Sequence, residues 1–464
     1  MNEQITPRAA ALNAIHGIIE HGHPSHLIIR ETLAAHSEYT RQERAFFTRL
    51  CEGTVEQLLR LDYVLSQCSS VPVRKMKPLI RTLMRMSVYQ LLFMDSIPDS
   101  AVCNEAVRLA GKRGFSGLKG FVNGVLRGVC RLDPEKTLPK REENERLFLS
   151  IYYSMPLWIV NDLAEQFGEE RLEKILQGFL TLRPMSVRMN LSRTEADQII
   201  ETLKQQGIGV HPPFFDEFSS YNPYFTESLS LTETGNLQDV RAWQSGWIQV
   251  QDIASMLPVY AAGINPGEHV IDVCAAPGGK TLHAADILSG TGSVISRDLS
   301  EDKVKLIREN ITRIGFTNIY TQVHDASLFD PTFASMADVV IADLPCSGLG
   351  IIGKKPDIKY RMTKDQIISL AKLQRELLSV VCRYVKPGGR LIFSTCTLSC
   401  EENIENRAWF LEHFPEFSPM ELTDCHFAPF EEDSLREGYI QLVPGMHPCD
   451  GFFVAAFRRN EIVS

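Results

Sequence analysis

The chain has 464 residues, more than one ordinary hydrophobic core can hold, which predicts two or three domains. Its content of 44% hydrophobic and 23% charged residues is typical of a globular protein. No run of eighteen apolar residues is present, which excludes a membrane-spanning helix, and the N-terminus shows no secretory signal. The eleven cysteines are therefore expected to be reduced thiols in the cytoplasm rather than a disulfide framework.

Charge is distributed unevenly along the chain. The formal net charge is −9 at pH 7, but residues 1–131 contain 17 Lys and Arg against 11 Asp and Glu, a net of +6. The remainder of the chain therefore carries −15. A cationic N-terminal part favours a domain that docks on phosphate, although ordinary solvated helix faces would give the same balance.

Residues 1–131 are predicted to be helical throughout, because apolar side chains recur there at spacings of three and four. The first such face consists of Ile5, Ala9, Leu12, Ile15 and Ile19. These apolar faces are expected to form the core. The candidates for contact with a partner are the basic residues around the last helix, namely Lys112, Arg113, Lys119, Arg127 and Arg131.

A polar, charged linker is predicted over residues 133–144, followed by a helix over 156–180 with Pro156 in its first turn. The periodicity then changes to that of a small α/β module. The expected elements are a strand over 185–191, a helix capped by Thr194 over 194–205, a strand over 207–210, an irregular stretch over 212–234 and a strand over 247–250.

From Gly267 onward, strands alternate with helices, which predicts a mostly parallel sheet covered by helices on both faces. The predicted strands are 269–273, 292–297, 319–323, 338–342, 390–394 and 452–457, and the clearest helices are 303–314 and 364–384. In such sheets ligands bind beyond the carboxyl ends of the strands. Residues at those ends are therefore the candidates for a functional site.

The first strand of this sheet runs into small residues and two glycines, Asp272–Thr281, where backbone N–H groups can approach a ligand. A nucleoside-triphosphate loop would need a glycine at position 274, which is cysteine, so that interpretation fails. The next two strands are followed by Asp298 and Asp325. Each acid alone could be a helix cap, but a glycine loop and two acids in this order favour a site for adenosine.

Two further strands end beside cysteines, Cys346 after Asp343 and Cys396 after Ser394. Free cysteines are normally buried small hydrophobes, and this role is expected for Cys274 and Cys382. Two thiols on the ligand side of a sheet are unusual and suggest a catalytic role. A zinc site is the alternative for a second set, Cys396, Cys400, Cys425, His447 and Cys449. The set lacks the paired Cys-x-x-Cys spacing of structural zinc, and no metal is predicted.

Four motifs of the C-terminal part are specific: DVCAAPGGKT (272–281), DLPCSG (343–348), STCT (394–397) and DGFF (450–453). With them the chain resembles the Sun-related RNA 5-methylcytosine methyltransferases, in particular the bacterial 16S ribosomal RNA branch whose N-terminal domain is like the antitermination factor NusB. The N-terminal resemblance rests on ERAFFTRL (43–50), IPDSAVCNEAV (97–107) and GFVNGVLRGVCR (120–131). The middle matches through RMN (188–190) and GWIQVQDIASM (246–256). Small departures at Arg297, His324 and Thr397 leave the chemical groups in place.

The resemblance implies a multidomain fold. It comprises an all-α NusB-like RNA-binding domain at 1–135, a small RRM- or ferredoxin-like α/β RNA-binding module at 150–245, and a Rossmann-like class I methyltransferase domain at 246–464. The implied cofactor is S-adenosylmethionine, and the implied partner is 16S ribosomal RNA. No membrane partner is expected, and since one chain carries every required group, a monomer is expected.

The resemblance also assigns roles to residues of this chain. The cofactor would be held by Cys274, Ala275, Ala276, Pro277, Gly278, Gly279 and Lys280. Asp298 would bind its ribose, Asp325 its adenine, and Asp343 the region shared with the target base. Cys396 would attack carbon 6 of cytosine, and Cys346 would assist release of the product. The target base would leave its stack to reach the pocket.

Between the two cysteine motifs, a basic group could guide phosphate and stack on a base, or could equally be a solvated loop: Lys354, Lys355, Lys359 and Tyr360. Two other classes of function compete with the enzyme. One is a non-catalytic RNA-binding or assembly factor, which the intact motifs disfavour. The other is a methyltransferase for proteins or small molecules, which commonly uses an Asn-Pro-Pro-Tyr loop where this chain has Asp-Leu-Pro-Cys.

Overall fold

A computed structural model describes residues 5–214 and 216–461 of the chain. Their contacts divide them into two compact units. Unit 1 comprises the residues up to Leu180 and the segment Ile352–Met362, whereas unit 2 comprises Thr181–Ile351 and the chain from Thr363 onward. Among the described residues, no helix is both long enough and apolar enough to cross a membrane.

Unit 1 is helical, as predicted for residues 1–131, of which 1–4 lie outside the described residues. Thr6 and Thr40 cap the first and third helices through their side chains. Of the first predicted face, Leu12 and Ile15 are fully buried, whereas Ile5 precedes the helix and is exposed. The helices are α1 (Pro7–His21), α2 (Ser25–Ala35), α3 (Arg41–Glu56), α4 (Leu58–Cys68), α5 (Pro78–Phe93), α6 (Asp99–Lys112), α7 (Lys119–Val129), α8 (Pro134–Thr137), α9 (Glu145–Tyr152), α10 (Leu157–Phe167) and α11 (Glu169–Leu180).

The helices after residue 131 differ from the sequence-based expectation in two places. The predicted linker contains the short helix α8. Helix α9 begins directly after the linker, because the side chain of Asn144, the last linker residue, caps α9. The single helix predicted over 156–180 is in fact two, α10 and α11. They separate at Gly168, whose φ of +88° no α-helix accommodates. Pro156 precedes α10 rather than lying in its first turn.

The segment Ile352–Met362 is anchored within unit 1 by buried polar contacts. Lys359 is 1% exposed, and its Nζ donates to the Glu56 carbonyl at 2.9 Å. The Tyr360 hydroxyl lies 3.1 Å from the carbonyl oxygens of Glu56 and Ser154. Burial lowers the pKa of Lys359 to about 8. The two hypotheses for these residues, contact with RNA and a solvated loop, are therefore both wrong for Lys359, because its ammonium is buried and bonded inside the protein.

Unit 2 begins with a four-stranded antiparallel sheet in the order β2-β3-β1-β4. The stretch predicted to be irregular contains β3, whose five residues do alternate polar and apolar side chains, although the surrounding Ser, Asn, Pro and aromatic residues are typical of a loop. Thr194 does not cap α12, since its hydroxyl donates to Gln198 and Glu195 occupies the cap position. The elements are β1 (Met185–Met189), α12 (Ala196–Gln205), β2 (Gly209–His211), β3 (Ser228–Thr232), α13 (Arg241–Gln244) and β4 (Ile248–Val250).

The second sheet of unit 2 has the strand order β10-β12-β9-β8-β5-β6-β7, with β11 paired to β12. All six predicted strands are present, and β10 and β11 are additional. The strands are β5 (His269–Asp272), β6 (Ser293–Asp298), β7 (Ile319–Val323), β8 (Ala337–Asp343), β9 (Val385–Thr395), β10 (Phe417–Pro419), β11 (Tyr439–Leu442) and β12 (Phe452–Arg459). The helices are α14 (Ile253–Ala262), α15 (Gly279–Leu288), α16 (Glu301–Ile314), α17 (Ile358–Arg361, in unit 1), α18 (Lys364–Val381) and α19 (Ile404–His413).

Strands β5 to β9 are mutually parallel, and both faces of their sheet are covered. Val339 and Ile341 of β8 pack in one apolar core, while Val340 and Ala342 pack in another on the opposite face. The chain runs outward from β5 to β7 and then returns to place β8 on the other side of β5. Such a reversal opens a crevice at the carboxyl ends of β5 and β8.

A buried ion pair connects the small sheet to α15 within unit 2. Arg188 of β1 is 1% exposed, and its Nη1 lies 2.8 Å from Asp286 Oδ2. Its Nε donates to Gln251 at 3.2 Å. Removing the cation would leave the Asp286 carboxylate buried without its partner, which is strongly destabilising.

We expect Arg188→Ala to lower the free energy of unfolding by about 3–5 kcal/mol, because it breaks this buried pair. The measurement is urea denaturation followed by tryptophan fluorescence. The matched control is Arg308→Ala, which breaks an exposed pair with Glu301 and should cost no more than about 1 kcal/mol. Equal effects of the two substitutions on the free energy of unfolding would contradict a stabilising role for the buried pair of Arg188 and Asp286.

Candidate active site

The loop after β5 is fixed to the end of β6 by its backbone. The Ala275 N–H donates to the Arg297 carbonyl at 2.9 Å, and the Ala276 N–H donates to Asp298 Oδ2 at 2.9 Å. A cis peptide bond joins Ala276 to Pro277. Gly278 then occupies the N-cap position before α15 at a φ of +106°, a backbone conformation that residues with side chains rarely adopt. The predicted loop 274–280 is therefore a preformed turn at a helix N-terminus.

The acids Asp298 and Asp325 lie at neighbouring strand ends. The His324 N–H donates to the Asp298 carbonyl at 2.9 Å, which ties the end of β7 to that of β6. The Asp298 side chain is 4% exposed, and its Oδ1 lies 2.9 Å from Lys303 Nζ. Hydrogen bonds from the Ser327 backbone and hydroxyl lower the pKa of Asp325, so this carboxylate is an anionic acceptor at neutral pH.

Asp343 connects the loop to the strands that carry the cysteines. Its Oδ2 lies 2.6 Å from Lys280 Nζ, and its Oδ1 accepts the Ser394 hydroxyl at 2.8 Å. Lys280 is 8% exposed and also donates to Ser255. Because an opposite charge and a hydroxyl hold its two oxygens, Asp343 is fixed in orientation.

The two predicted thiols are in contact, with 3.3 Å between Cys346 Sγ and Cys396 Sγ. Their loops follow β8 and β9, which pair in parallel with Asp343 opposite Ser394. The hydrogen bond with Cys396 and burial raise the pKa of Cys346 well above its ordinary value, and nearby carboxylates raise it further. Cys346 therefore keeps its proton at neutral pH.

Cys274, by contrast, lies at the edge of an apolar core. Burial raises the pKa of its thiol, which makes this cysteine a poor nucleophile. Cys382 is 1% exposed in the same core. Both thus pack as the small hydrophobes that were expected.

The backbones of the two thiol loops are braced by two glycines. The Gly350 N–H donates to the Cys396 carbonyl at 3.0 Å, and the Gly451 N–H donates to the Gly350 carbonyl at 2.9 Å. A Cβ added at Gly350 would lie 2.0 Å from the Gly451 carbonyl oxygen. Only glycine permits this close approach. Gly451 of the DGFF motif (450–453) therefore holds the backbone of Gly350, which in turn bonds to the Cys396 loop.

The residues weighed as zinc ligands lie in different surroundings. Cys396 faces Cys346, Cys449 is buried in an apolar core, and His447 accepts the Val443 N–H at 2.9 Å. Among the described residues, three potential ligands gather instead at Asp424, Cys425 and His426. There His426 already bonds to Asp424 at 2.5 Å.

Sequence patterns did not reveal the polar residues buried behind the thiols. Glu402 and Gln374 are both fully buried, the first in the turn after the Cys396 loop and the second in α18. A buried glutamate that is held by neutral groups has no periodic signature, because its hydrogen bonds come from distant parts of the chain. The one available signal was the closeness of Glu402 to the STCT motif.

Three family descriptions match successive parts of the chain. The NusB family matches residues 6–131, the ferredoxin-like domain of the RsmF/B-like methyltransferases matches 155–217, and the 16S rRNA methyltransferase RsmB/F matches 260–458. The predicted fold class is thereby confirmed: an all-α domain, a small α/β module and a Rossmann-like methyltransferase domain follow in that order.

The chain is 33% identical to a probable ribosomal RNA small subunit methyltransferase B from Bacillus subtilis, over 98% of each chain. It is similar to the crystal structure of PH0851, with a TM-score of 0.81 and 26% identity over 99% of this chain and 100% of that one. A methyltransferase homolog from Pyrococcus horikoshii aligns with a TM-score of 0.57 and 25% identity over 68% of this chain and 99% of its own. The resemblance is thereby confirmed, and the chain belongs to the RsmB/F family of S-adenosylmethionine-dependent 16S rRNA methyltransferases.

Proposed function

We propose that this enzyme transfers a methyl group from S-adenosylmethionine to carbon 5 of one cytosine in 16S ribosomal RNA, through a covalent bond between Cys396 and carbon 6. The observation that carries the proposal is the contact of two thiols, 3.3 Å apart, at the carboxyl ends of adjacent parallel strands. A methyltransferase acting on oxygen or nitrogen needs no such pair. Carbon 5 of cytosine, a poor nucleophile, does need a covalent activator.

The donor set at the strand ends fits the proposed cofactor. Asp298 and Asp325 offer carboxylates to hydroxyl and amine groups, and within the described part of the chain no side chain caps the N-terminus of α15 at Gly278. Carboxylates at these places would repel a triphosphate but suit an uncharged adenosine. When bound, S-adenosylmethionine supplies an electrophilic methyl group on a sulfonium, whose positive charge the nearby acids favour.

The protonation of Cys346 argues against that thiol as the nucleophile and leaves Cys396. Only a thiolate attacks, and Cys346 keeps its proton because contact and burial raise its pKa. Attack by the Cys396 thiolate on carbon 6 gives carbon 5 the character of an enamine. The charge of Asp343, held by Lys280 and Ser394, stabilises a ring protonated at nitrogen 3.

Release requires transfer of the proton on carbon 5 to a water molecule and cleavage of the bond between carbon 6 and sulfur. The electrons of the carbon–hydrogen bond re-form the ring double bond, and Cys396 leaves as a thiolate. The Cys346 thiol, in contact with Cys396 Sγ, stabilises this leaving group by donating a hydrogen bond. The two thiols therefore have different functions, attack for Cys396 and release for Cys346.

A base enters such a pocket only after leaving its stack, so we propose an opened or single-stranded region of the RNA as the target. Residues 1–135, whose N-terminal 131 residues carry a net charge of +6, and residues 150–245 would contact the RNA. Residues 246–464 would carry the chemistry. One chain supplies every group, so we propose a monomer acting in the cytoplasm, where ribosomal RNA is made.

We expect Cys396→Ala to reduce methyl transfer about a thousandfold or more, because it removes the nucleophile. Cys346→Ala should instead accumulate a covalent RNA–protein adduct, since release fails after attack. The measurement uses labelled S-adenosylmethionine, unmodified 16S ribosomal RNA and denaturing gels. Cys425→Ala, at an exposed thiol, is the control and should behave as wild type. Equal, partial losses from both thiol variants would mean that the thiols are structural.

Asp298→Asn should weaken the binding of S-adenosylmethionine about 10- to 100-fold, because the amide no longer offers a charged acceptor to ribose hydroxyls. Titration calorimetry with the full chain measures this affinity. Asp302→Asn removes a charge from the exposed first turn of α16 and serves as the control. Identical affinities of the two variants for S-adenosylmethionine would show that Asp298 does not bind the cofactor.

Gly350→Ala should lower the rate of methyl transfer about 100-fold, since the added Cβ clashes with the Gly451 carbonyl and displaces the thiol loops. The affinity for S-adenosylmethionine should change little. Gly117→Ala, at a position where an added Cβ has no described neighbour within 4 Å, is the control. A fully active Gly350→Ala enzyme would show that the precise placement of the loops is unimportant.

A further inference from the structure

Glu402 is a fully buried carboxylate between the loops that carry the two thiols. Its exposed fraction is 0%. Within residues 5–214 and 216–461, the groups that bond to its side chain are those of Ser347 and Gln374, and neither carries a charge. Burying a charge without a counter-ion is costly. A buried carboxylate whose bonding partners are neutral does not stabilise a core, so we expect Glu402 to have a function in the site.

The hydrogen bonds of Glu402 reach both loops. Its Oε1 accepts the Ser347 N–H at 2.8 Å, and its Oε2 accepts the Ser347 hydroxyl. Since that hydroxyl donates to Glu402, the Thr397 hydroxyl, 2.6 Å away, must donate to Ser347 Oγ. Ser347 follows Cys346 and Thr397 follows Cys396, so the carboxylate holds the residue next to Cys346 directly and the residue next to Cys396 through the Ser347 hydroxyl.

A third element completes the arrangement. Gln374 of α18 donates from Nε2 both to Glu402 Oε1 at 3.2 Å and to the Pro345 carbonyl at 2.8 Å. Asn406 of α19 in turn donates to Gln374 Oε1 at 2.8 Å. The residues on both sides of Cys346 are thus bonded into one buried network, and networks of this kind keep a unique geometry.

We propose that Glu402 is a positioning residue for the thiol pair: its buried carboxylate holds the Cys346 loop against the Cys396 loop and disfavours a thiolate at Cys346. The catalytic part of this inference depends on the proposed function. The geometric and protonation parts do not, since they concern the free protein alone.

The charges that face Cys346 allow this second role. Among the described residues, the ionisable groups that raise the pKa of Cys346 electrostatically are the Cys396 thiol, the carboxylate of Glu402 and the carboxylate of Asp343, the last of which is paired with Lys280. Burial raises the pKa of Glu402, and the hydrogen bonds from Ser347 and Gln374 offset only part of this rise. An anionic Glu402 disfavours a thiolate at Cys346.

Glu402→Gln in the full chain tests the proposal, because the amide keeps the size and one acceptor oxygen but removes the charge. The rate of Cys346 alkylation by iodoacetamide is measured against pH, with the modified peptide identified by mass spectrometry. We expect its midpoint to move to lower pH. The kcat for methyl transfer should fall about 100-fold while both KM values stay near wild type. Glu405→Gln, at an exposed position of α19, is the matched control and should change neither quantity.

Ser347→Ala is the second variant, in case Glu402→Gln does not fold. It keeps the carboxylate of Glu402 but removes the hydroxyl between the loops, so kcat should fall about tenfold while the Cys346 alkylation profile shifts less than in Glu402→Gln. Wild-type kcat in this variant would overturn the proposal. So would a Glu402→Gln enzyme that is fully active, or one that loses activity and thermal stability without a change in the alkylation profile.

The alkylation measurement uses neither RNA nor S-adenosylmethionine, which separates this inference from the proposed function. If the wild-type enzyme transferred no methyl group to cytosine but Glu402→Gln still shifted the Cys346 profile, the proposed function would fail and the positioning role would stand. If the wild-type enzyme methylated cytosine but Glu402→Gln left the Cys346 alkylation profile unchanged, the positioning role would fail and the proposed function would stand.

Discussion

The parallel pairing of β8 with β9 is the constraint on which the rest of the site depends. Its register places Asp343 opposite Ser394, and the two loops that follow therefore leave the sheet side by side. A shift of one residue would turn every following side chain to the other face of the sheet. The 3.3 Å contact between the thiols of Cys346 and Cys396 is thus a consequence of strand register, secured by the backbone bond from Gly350.

The charges around this edge explain why the loop over 272–281 is not a phosphate site despite its Gly-Lys-Thr sequence. Lys280 points to Asp343 at 2.6 Å, and Lys303 lies beside Asp298. Each cation thus already faces a carboxylate, and with Asp325 added the edge is acidic. A positively charged cosubstrate with an uncharged nucleoside matches this field, whereas a triphosphate does not.

Much of the architecture could be predicted from the sequence, because parallel strands and amphipathic helices have strong periodic signals. The positions of the motif loops at the carboxyl ends of the strands were also predictable from the sequence. The failures have physical causes. Strand β3 was missed because it has only five residues and lies in a stretch rich in Ser, Asn, Pro and aromatic residues, a composition typical of loops. Lys359 was misjudged because its partner, the Glu56 carbonyl, lies about 300 residues away in sequence. Glu402 was missed for the same reason, since Ser347 and Gln374 satisfy it through tertiary contacts alone.

The central claim, that Cys396 forms the covalent bond while Cys346 breaks it, is tested most directly by trapping the intermediate. In 16S ribosomal RNA containing 5-fluorocytidine, carbon 5 of the methylated ring carries no proton to lose, so release is blocked. Peptide mass spectrometry of the wild-type enzyme should then find a methylated fluorocytidine adduct on Cys396. An adduct on Cys346, or turnover without any adduct, would contradict the account.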